Sequence, residues 1–266
     1  MSVIESVLGD RPHLIGVVHV GALAGSPGWS GDMRTVIDRA VADAGAYERA
    51  GFSGVIIENY GDGPFERGFA GRGAVAGLAA VGAAVSAAVG LPLGVNVLRN
   101  DALSAVAVAA ATGASLIRVN VHTGAAVTDQ GLIQGEAAAT LRAIARDAPG
   151  LVVFADVHVK HAQPLVPVNI ERAAADAVER GKASALIVTG EATGTPAPLD
   201  DVERIRTALP QVPVYVGSGV TEASIAGVLE AADGIIVGSA CMKDGRAGGP
   251  VIEQRARALA ARALSE

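Results

Sequence analysis

The sequence predicts an α/β protein, a single closed (β/α)8 barrel of the TIM type spanning residues 1–266. Three observations carry that expectation. Eight short runs rich in Val and Ile recur along the chain, and Ala-rich stretches with helical spacing separate them. The length of 266 residues suits one α/β barrel, which routinely takes roughly 200–250 residues. Apolar runs without strict alternation read as strands covered on both faces, and helices between such strands make right-handed βαβ units. Eight of each favours closure over an open doubly wound sheet.

In chain order, the first strand is LIGVVHV (14–20). A helix follows it, with Asp32 as cap and Val36, Ile37, Ala40, Val41, Ala44 and Tyr47 at the three-to-four spacing of one apolar face. GVIIEN (54–59) is the second strand, and the Gly-rich segment 61–77 lies where a functional loop belongs. A helix near 74–89 leads to LGVNVL (93–98), one near 101–112 to SLIRVNV (115–121), and one near 136–147 to LVVFADV (151–157). A helix near 168–180 precedes ALIVTG (185–190), and one near 199–209 precedes PVYVG (213–217). Thr221 is expected to cap a helix over 222–231, GIIVG (234–238) is the eighth strand, and a helix over 250–264 closes the series.

Composition sets limits on function. Half of the residues are hydrophobic and 3% aromatic, with a mean hydropathy of +0.41. From Gly73 to Leu98, 26 residues carry no formal charge, more than the roughly 20 that span a bilayer. Gly90, Pro92 and Asn96 interrupt that run where a spanning helix needs continuous backbone bonding, so it reads as a buried helix followed by a buried strand. The net charge of −6, from 21 basic and 27 acidic residues mixed along the chain, gives no patch for nucleic acid or anionic lipid. Cys241 is the one cysteine, which excludes an intrachain disulfide. Glu5 and Asp10 stand where a signal peptide would be basic and apolar. The expectation is a cytoplasmic protein with no nucleic-acid partner and no membrane insertion, and a homo-oligomer because exposed Ala-rich helix faces often pair.

Polar residues at strand ends carry functional weight in such a barrel, because its site lies at the C-terminal rim. His19 ends the first strand, Glu58 and Asn59 the second, and Asn96 the third, with Arg99 and Asn100 beyond. Residues two apart share a strand face, so Arg118, Asn120 and His122 are expected to point one way, as are Asp156, His158 and Lys160. Burying six such side chains is costly unless they serve each other or a ligand. The bland alternative is an internal salt bridge, such as Arg118 with Asp156, that fills the barrel.

The last two strands run into Gly217-Ser218-Gly219 and Gly238-Ser239, in the loops that recurrently hold phosphate in this fold. Glycines let backbone amides approach an anion, and Thr189-Gly190 is placed to supply another side of the pocket. His19, His122, His158 and His161 with Glu58 and Asp156 include metal-ligand types. Strand geometry does not put the two imidazoles of HVKH on one face, so no metal site is assigned and no cofactor is expected. Lys160 reads as an anion holder, with a Schiff-base role as the alternative. Cys241 reads as a small buried filler.

With these residues in hand, the sequence resembles the BtpA/SgcQ family, related to the ribulose-phosphate-binding TIM barrels. The specific segments are GVVHVGALAGSP (16–27), IIENYGDGPF (56–65), residues 93–135, FADVHVKHAQPL (154–165), ALIVTGEATG (185–194), VGSGVT and IIVGSA. The resemblance covers nearly the whole chain and implies the barrel fold. It also implies a role in photosystem I assembly or a likeness to phosphoribosylanthranilate isomerase, and members accompany sugar-uptake genes. The first loop departs from the family in lacking the prolines usual near Gly21 and Ala24.

The leading expectation is an enzyme, of isomerase, lyase or glycosidic-bond-cleaving type, acting on a small phosphorylated sugar or nucleotide-like substrate. Asp156 is the expected acid or base, assisted by Glu58, because such chemistry needs two carboxyl groups in different environments. Arg118, Asn120, His122, His158 and Lys160 are expected to position the sugar and stabilise negative charge. The alternatives are a non-catalytic assembly protein and a metal-dependent hydrolase.

Overall fold

The computed structural model of the chain describes residues 3–264; residues 1, 2, 265 and 266 of the expected domain lie outside the described residues. A short helix α1 (Val3–Leu8) precedes β1 (His13–His19), and α2 (Met33–Arg49) leads to β2 (Gly54–Glu58). After α3 (Arg72–Ala88) come β3 (Leu93–Asn96), α4 (Ala102–Thr112) and β4 (Leu116–Val119). Two short strands, β5 (Ala125–Thr128) and β6 (Gly131–Gln134), precede α5 (Ala137–Asp147), β7 (Val152–Val157) and β8 (Ala162–Pro164). The chain then runs through α6 (Ile170–Ala175), β9 (Ala185–Val188), α7 (Leu199–Ala208) and β10 (Val214–Val216). It continues through α8 (Ile225–Ala231), β11 (Gly234–Val237) and α9 (Glu253–Ala263).

Eight of these strands, in the order β1-β2-β3-β4-β7-β9-β10-β11, close into one parallel barrel. They are the eight runs read from the sequence. Their residues are buried on both faces. Ile15, Val17, Ile56, Leu116, Phe154, Ile187, Tyr215 and Ile236 fill the interior, while Leu14, Val18, Val55, Ile57, Val95 and Ile117 pack outward against the helices. Ile4 and Leu8 of α1 join the interior cluster.

The uncharged run resolves into α3 and β3. A Cβ on Gly82 would lie 2.8 Å from the Thr112 side chain, so only glycine lets α3 approach α4 this closely. No helix among the described residues is long and apolar enough to cross a membrane.

Some boundaries differ from expectation. The helix expected over 168–180 is α6 followed by a π-helical turn over Asp176–Arg180. The helix expected from 222 starts at Ile225, because Thr221 engages Ser224 in a preceding turn instead of capping the helix. Helix α1 is an addition to the expected elements. The small antiparallel sheet of β6, β5 and β8 was also unexpected; it is formed by the loops that follow β4 and β7.

Candidate active site at the barrel mouth

The rim rule places the polar residues well. His19, Glu58, Asn96, Arg118 and Asp156 continue the inward-facing positions of their strands, one step above the apolar interior, and all are buried. Asn96 Nδ2 donates to Glu58 Oε2 at 2.6 Å. His19 Nε2 lies 3.7 Å from the other Glu58 oxygen, and the imidazole stacks on Tyr60 with ring centroids 4.3 Å apart. The Gly248 amide donates to His19 Nδ1 at 2.9 Å, so the neutral ring carries its proton on Nε2, toward Glu58. Burial pushes His19 down to about 4, and it is uncharged at neutral pH. Burial raises the Glu58 carboxyl, but the adjoining His19 foremost, then Arg118, Lys160 and the Asn96 bond, bring it net below the ordinary carboxylate range.

Arg118 forms the second half of the network. Its Nε and Nη2 donate to the two oxygens of Asp156 at 3.0 and 2.8 Å, and Asn120 Nδ2 adds a third bond to Asp156 at 2.8 Å. The Asp156 side chain has 0% exposure and that of Arg118 3%. The internal salt bridge held as the bland alternative is therefore present. Burial lowers Arg118, and the Asp156 contact more than restores it, leaving it above its ordinary value.

Alternation stops serving where the strands stop. β4 ends at Val119, and His122 does not join Arg118 and Asn120; its Nε2 donates to the Gly181 carbonyl at 2.7 Å beside the π turn. β7 ends at Val157, where His158 adopts a left-handed φ of 52°. His158 is exposed and lines a different pocket from Lys160. Both departures correct the shared-face expectation.

Lys160 returns to the mouth. Its backbone amide donates to Thr189 Oγ1 at 3.0 Å, which commits that hydroxyl to holding Lys160 in place. Burial and the Arg118 charge lower the Lys160 ammonium.

The two glycine turns meet in one small cavity of about 40 Å3, lined by Gly217, Gly219, Gly238 and Ser239 together with His19, Glu58, Arg118 and Lys160. Glu58, Arg118, Lys160 and Thr193 also line a larger cavity of about 630 Å3 beside it. Gly219 has φ +67°, and a Cβ there would sit 2.3 Å from the Pro196 nitrogen. The loop after β9 thus packs directly on the loop after β10. Ser218 Oγ joins them, accepting from the Gly190 amide at 2.6 Å and donating to the Thr195 carbonyl at 3.0 Å. Its hydroxyl is spent on loop packing, whereas Ser239 is half-buried.

Arg99 and Tyr60 also belong to the mouth, though the sequence assigned neither a role there. Arg99 lines the larger cavity with Tyr60, and Arg99 Nη2 donates to the Lys160 carbonyl at 2.9 Å. Arg99 lies three residues past the end of β3, where the rim rule noted it without giving it a role. Asn59 points away from the mouth and clamps the loops after β2 and β3 through both Leu98 backbone groups. Among the described residues no group of three or more His, Cys, Asp or Glu side chains is placed to hold a metal ion. Cys241 is buried in the apolar core, and burial raises its thiol to about 12.

A closed eightfold barrel with a buried, cation-rich mouth defines the chain as a TIM-barrel protein. More specifically, it belongs to the BtpA family, which matches residues 10–265. It is 45% identical over 251 residues to an uncharacterized protein of Pyrococcus furiosus, covering 94% of each chain. It is 42% identical over 232 residues to the photosystem I biogenesis protein BtpA of Synechocystis, covering 87% of this chain and 81% of that protein. Tryptophan synthase from M. tuberculosis shares the fold with a TM-score of 0.63 at 23% identity, covering 98% of this chain and 96% of that one. Phosphoribosyl anthranilate isomerase from Thermus thermophilus does so with a TM-score of 0.57 at 14% identity, covering 95% and 98%.

Proposed function

We propose that the chain is an enzyme acting on a small phosphorylated sugar or nucleotide-like metabolite. The observation that carries this reading is the junction of the two cavities. A phosphate in the small cavity meets the backbone of Gly217, Gly219, Gly238 and Ser239, and the attached sugar extends past Lys160 into the larger one. Glu58 is the base in this reading. It is ionised, held by one bond from Asn96, and borders both cavities. Lys160 and Arg99 stabilise negative charge that develops on the substrate. Asp156, whose carboxylate is sealed off by Arg118 and Asn120, acts as a positioning residue. Proton transfer of this kind serves an isomerase or lyase.

Thermal-shift screening of phosphorylated sugars and nucleotides tests the proposal. A ligand at a hundred times its Kd adds about 2.7 kcal/mol. For this chain length that is a rise of roughly 5 °C in Tm, at about 2.1 cal/mol/K of unfolding entropy per residue. Ser239→Glu is expected to abolish the shift, since it places a carboxylate against the proposed phosphate. Lack of any shift across the screen, or an equal shift in Ser239→Glu, would overturn the assignment.

A further inference from the structure

A second pocket lies outside the barrel, between the end of β7, helix α6 and the small sheet of β5 and β8. Its volume is about 210 Å3, below the roughly 300–1,000 Å3 of pockets that enclose a whole drug-sized ligand. That space suits one ring system. The walls are mostly apolar, with Val159, Ala126, Pro164 and Ala173 among them.

Asn120, Thr123, Asp156, His158 and Asp176 are the polar residues along the pocket wall. Asn120 lines it and also borders the larger mouth cavity. The amide is pinned through Nδ2 to Asp156, which leaves Oδ1 as a buried acceptor with no partner. Native proteins rarely leave such an oxygen unsatisfied, because its desolvation goes uncompensated. Asp176, at the start of the π turn, lines the same pocket, and its carboxylate already accepts from Arg172 Nε at 3.2 Å. The pinned Asn120 Oδ1 is the unsatisfied group on this wall, and in a mostly apolar enclosure it selects an uncharged ring that carries an N–H donor.

We infer that this pocket is a second binding site, for a small neutral heteroaromatic ring donating an N–H to Asn120 Oδ1. It stands independently of whether the barrel mouth binds phosphate. The opposite wall of the Asn120 amide belongs to the mouth, so the ring of a nucleotide-like molecule and its phosphorylated sugar would lie on two sides of one side chain.

Calorimetry with benzimidazole and 1-methylbenzimidazole, which lacks the N–H, tests the site on the whole chain at neutral pH. Benzimidazole is expected to bind saturably, with its methylated counterpart at least tenfold weaker. Two variants fill the pocket: Ala173→Phe, from the half-buried face of α6, and Val166→Trp, from an exposed position in the loop after β8. Both are expected to weaken benzimidazole binding at least tenfold, and the second keeps the test valid should the first not fold. Absence of saturable binding, equal affinity for the two probes, or unchanged affinity in a folded filled variant would overturn the inference. Because neither probe carries phosphate, their binding is read separately from the mouth, where the phosphorylated-sugar screen in Ser239→Glu gives its own answer.

Discussion

The Arg118–Asp156 pair decides whether the sealed carboxylate does chemistry or holds the site together. Asp156→Asn keeps the shape and removes the charge, so the Arg118 guanidinium, 3% exposed, loses its only ion-pair partner among the described residues. Breaking a buried pair from one side costs about 3–5 kcal/mol, because the remaining charge stays in a poorly solvated place. With an unfolding entropy near 0.56 kcal/mol/K, from roughly 2.1 cal/mol/K per residue, that loss lowers Tm by roughly 5–9 °C. Replacing both partners by apolar groups of similar volume, as in Arg118→Met with Asp156→Leu, removes the stranded charge and is expected to recover more than half of the loss. Thermal and denaturant unfolding of the wild type, the two single variants and the double variant give the coupling directly. A fall of less than about 2 °C in Asp156→Asn, or additive losses in the double variant, would refute the reasoning. It would return Asp156 to the pool of candidate acids and bases.

Two further outcomes follow from burial. His19 sits at about 4 in the folded chain against an ordinary 6.5, so below 6.5 the unfolded chain takes up a proton that the folded chain refuses. Stability is therefore intact above about pH 7 and falls as pH drops from 6.5 toward 4, by about 3 kcal/mol at 1.36 kcal/mol per pKa unit. The pH profile of the wild type minus that of His19→Asn should contain this limb; a flat difference would exclude it. Cys241, buried with its thiol raised to about 12, is expected to resist iodoacetamide at pH 8 and to react fully once the chain is unfolded. Mass spectrometry of native and denatured samples reads both, and rapid labelling of the native chain would contradict the buried placement.

The barrel was legible because both of its signals are local. Val- and Ile-rich runs such as 54–59 specify strands covered on both faces, and Asp32 bonds the Thr35 amide at 3.1 Å as a helix cap should. Inward positions were legible for the same reason, since Glu58 and Arg118 follow from strand parity. Parity carries no information past the last ladder bond, and this is where His122 and His158 were misplaced. Long-range bonds were also out of reach. Nothing local to Ser218 shows that its hydroxyl joins Gly190 to Thr195, or that Gly248, 229 residues beyond His19, fixes that ring's tautomer. The β5–β6 hairpin left a weak trace in the turn residues Asp129 and Gln130 and the Gly131 that follows them, which the stronger barrel rhythm obscured.

Charge arithmetic at the mouth links these placements to the proposed substrate. Arg118 and Asp156 cancel each other through their paired bonds, and His19 is neutral. Glu58 then faces two cations, Arg99 and Lys160, neither of which forms an ion pair within 4.0 Å among the described residues. Asp129 also lines the larger cavity and acts on Arg99 from an exposed position, so the formal charges balance. Lys160 nonetheless touches no counter-ion, which costs free energy in a poorly solvated cavity. A filler network would be expected to bring its opposite charges into contact, as Arg118 and Asp156 do. The unpaired cation is Lys160, on the wall that the two cavities share, where a phosphate leading into its sugar would pass. Tyr60 and Phe65 line this mouth, and the Tyr60 ring is already stacked on His19. Backbone amides and the unpaired ammonium are what the site has to offer an anion.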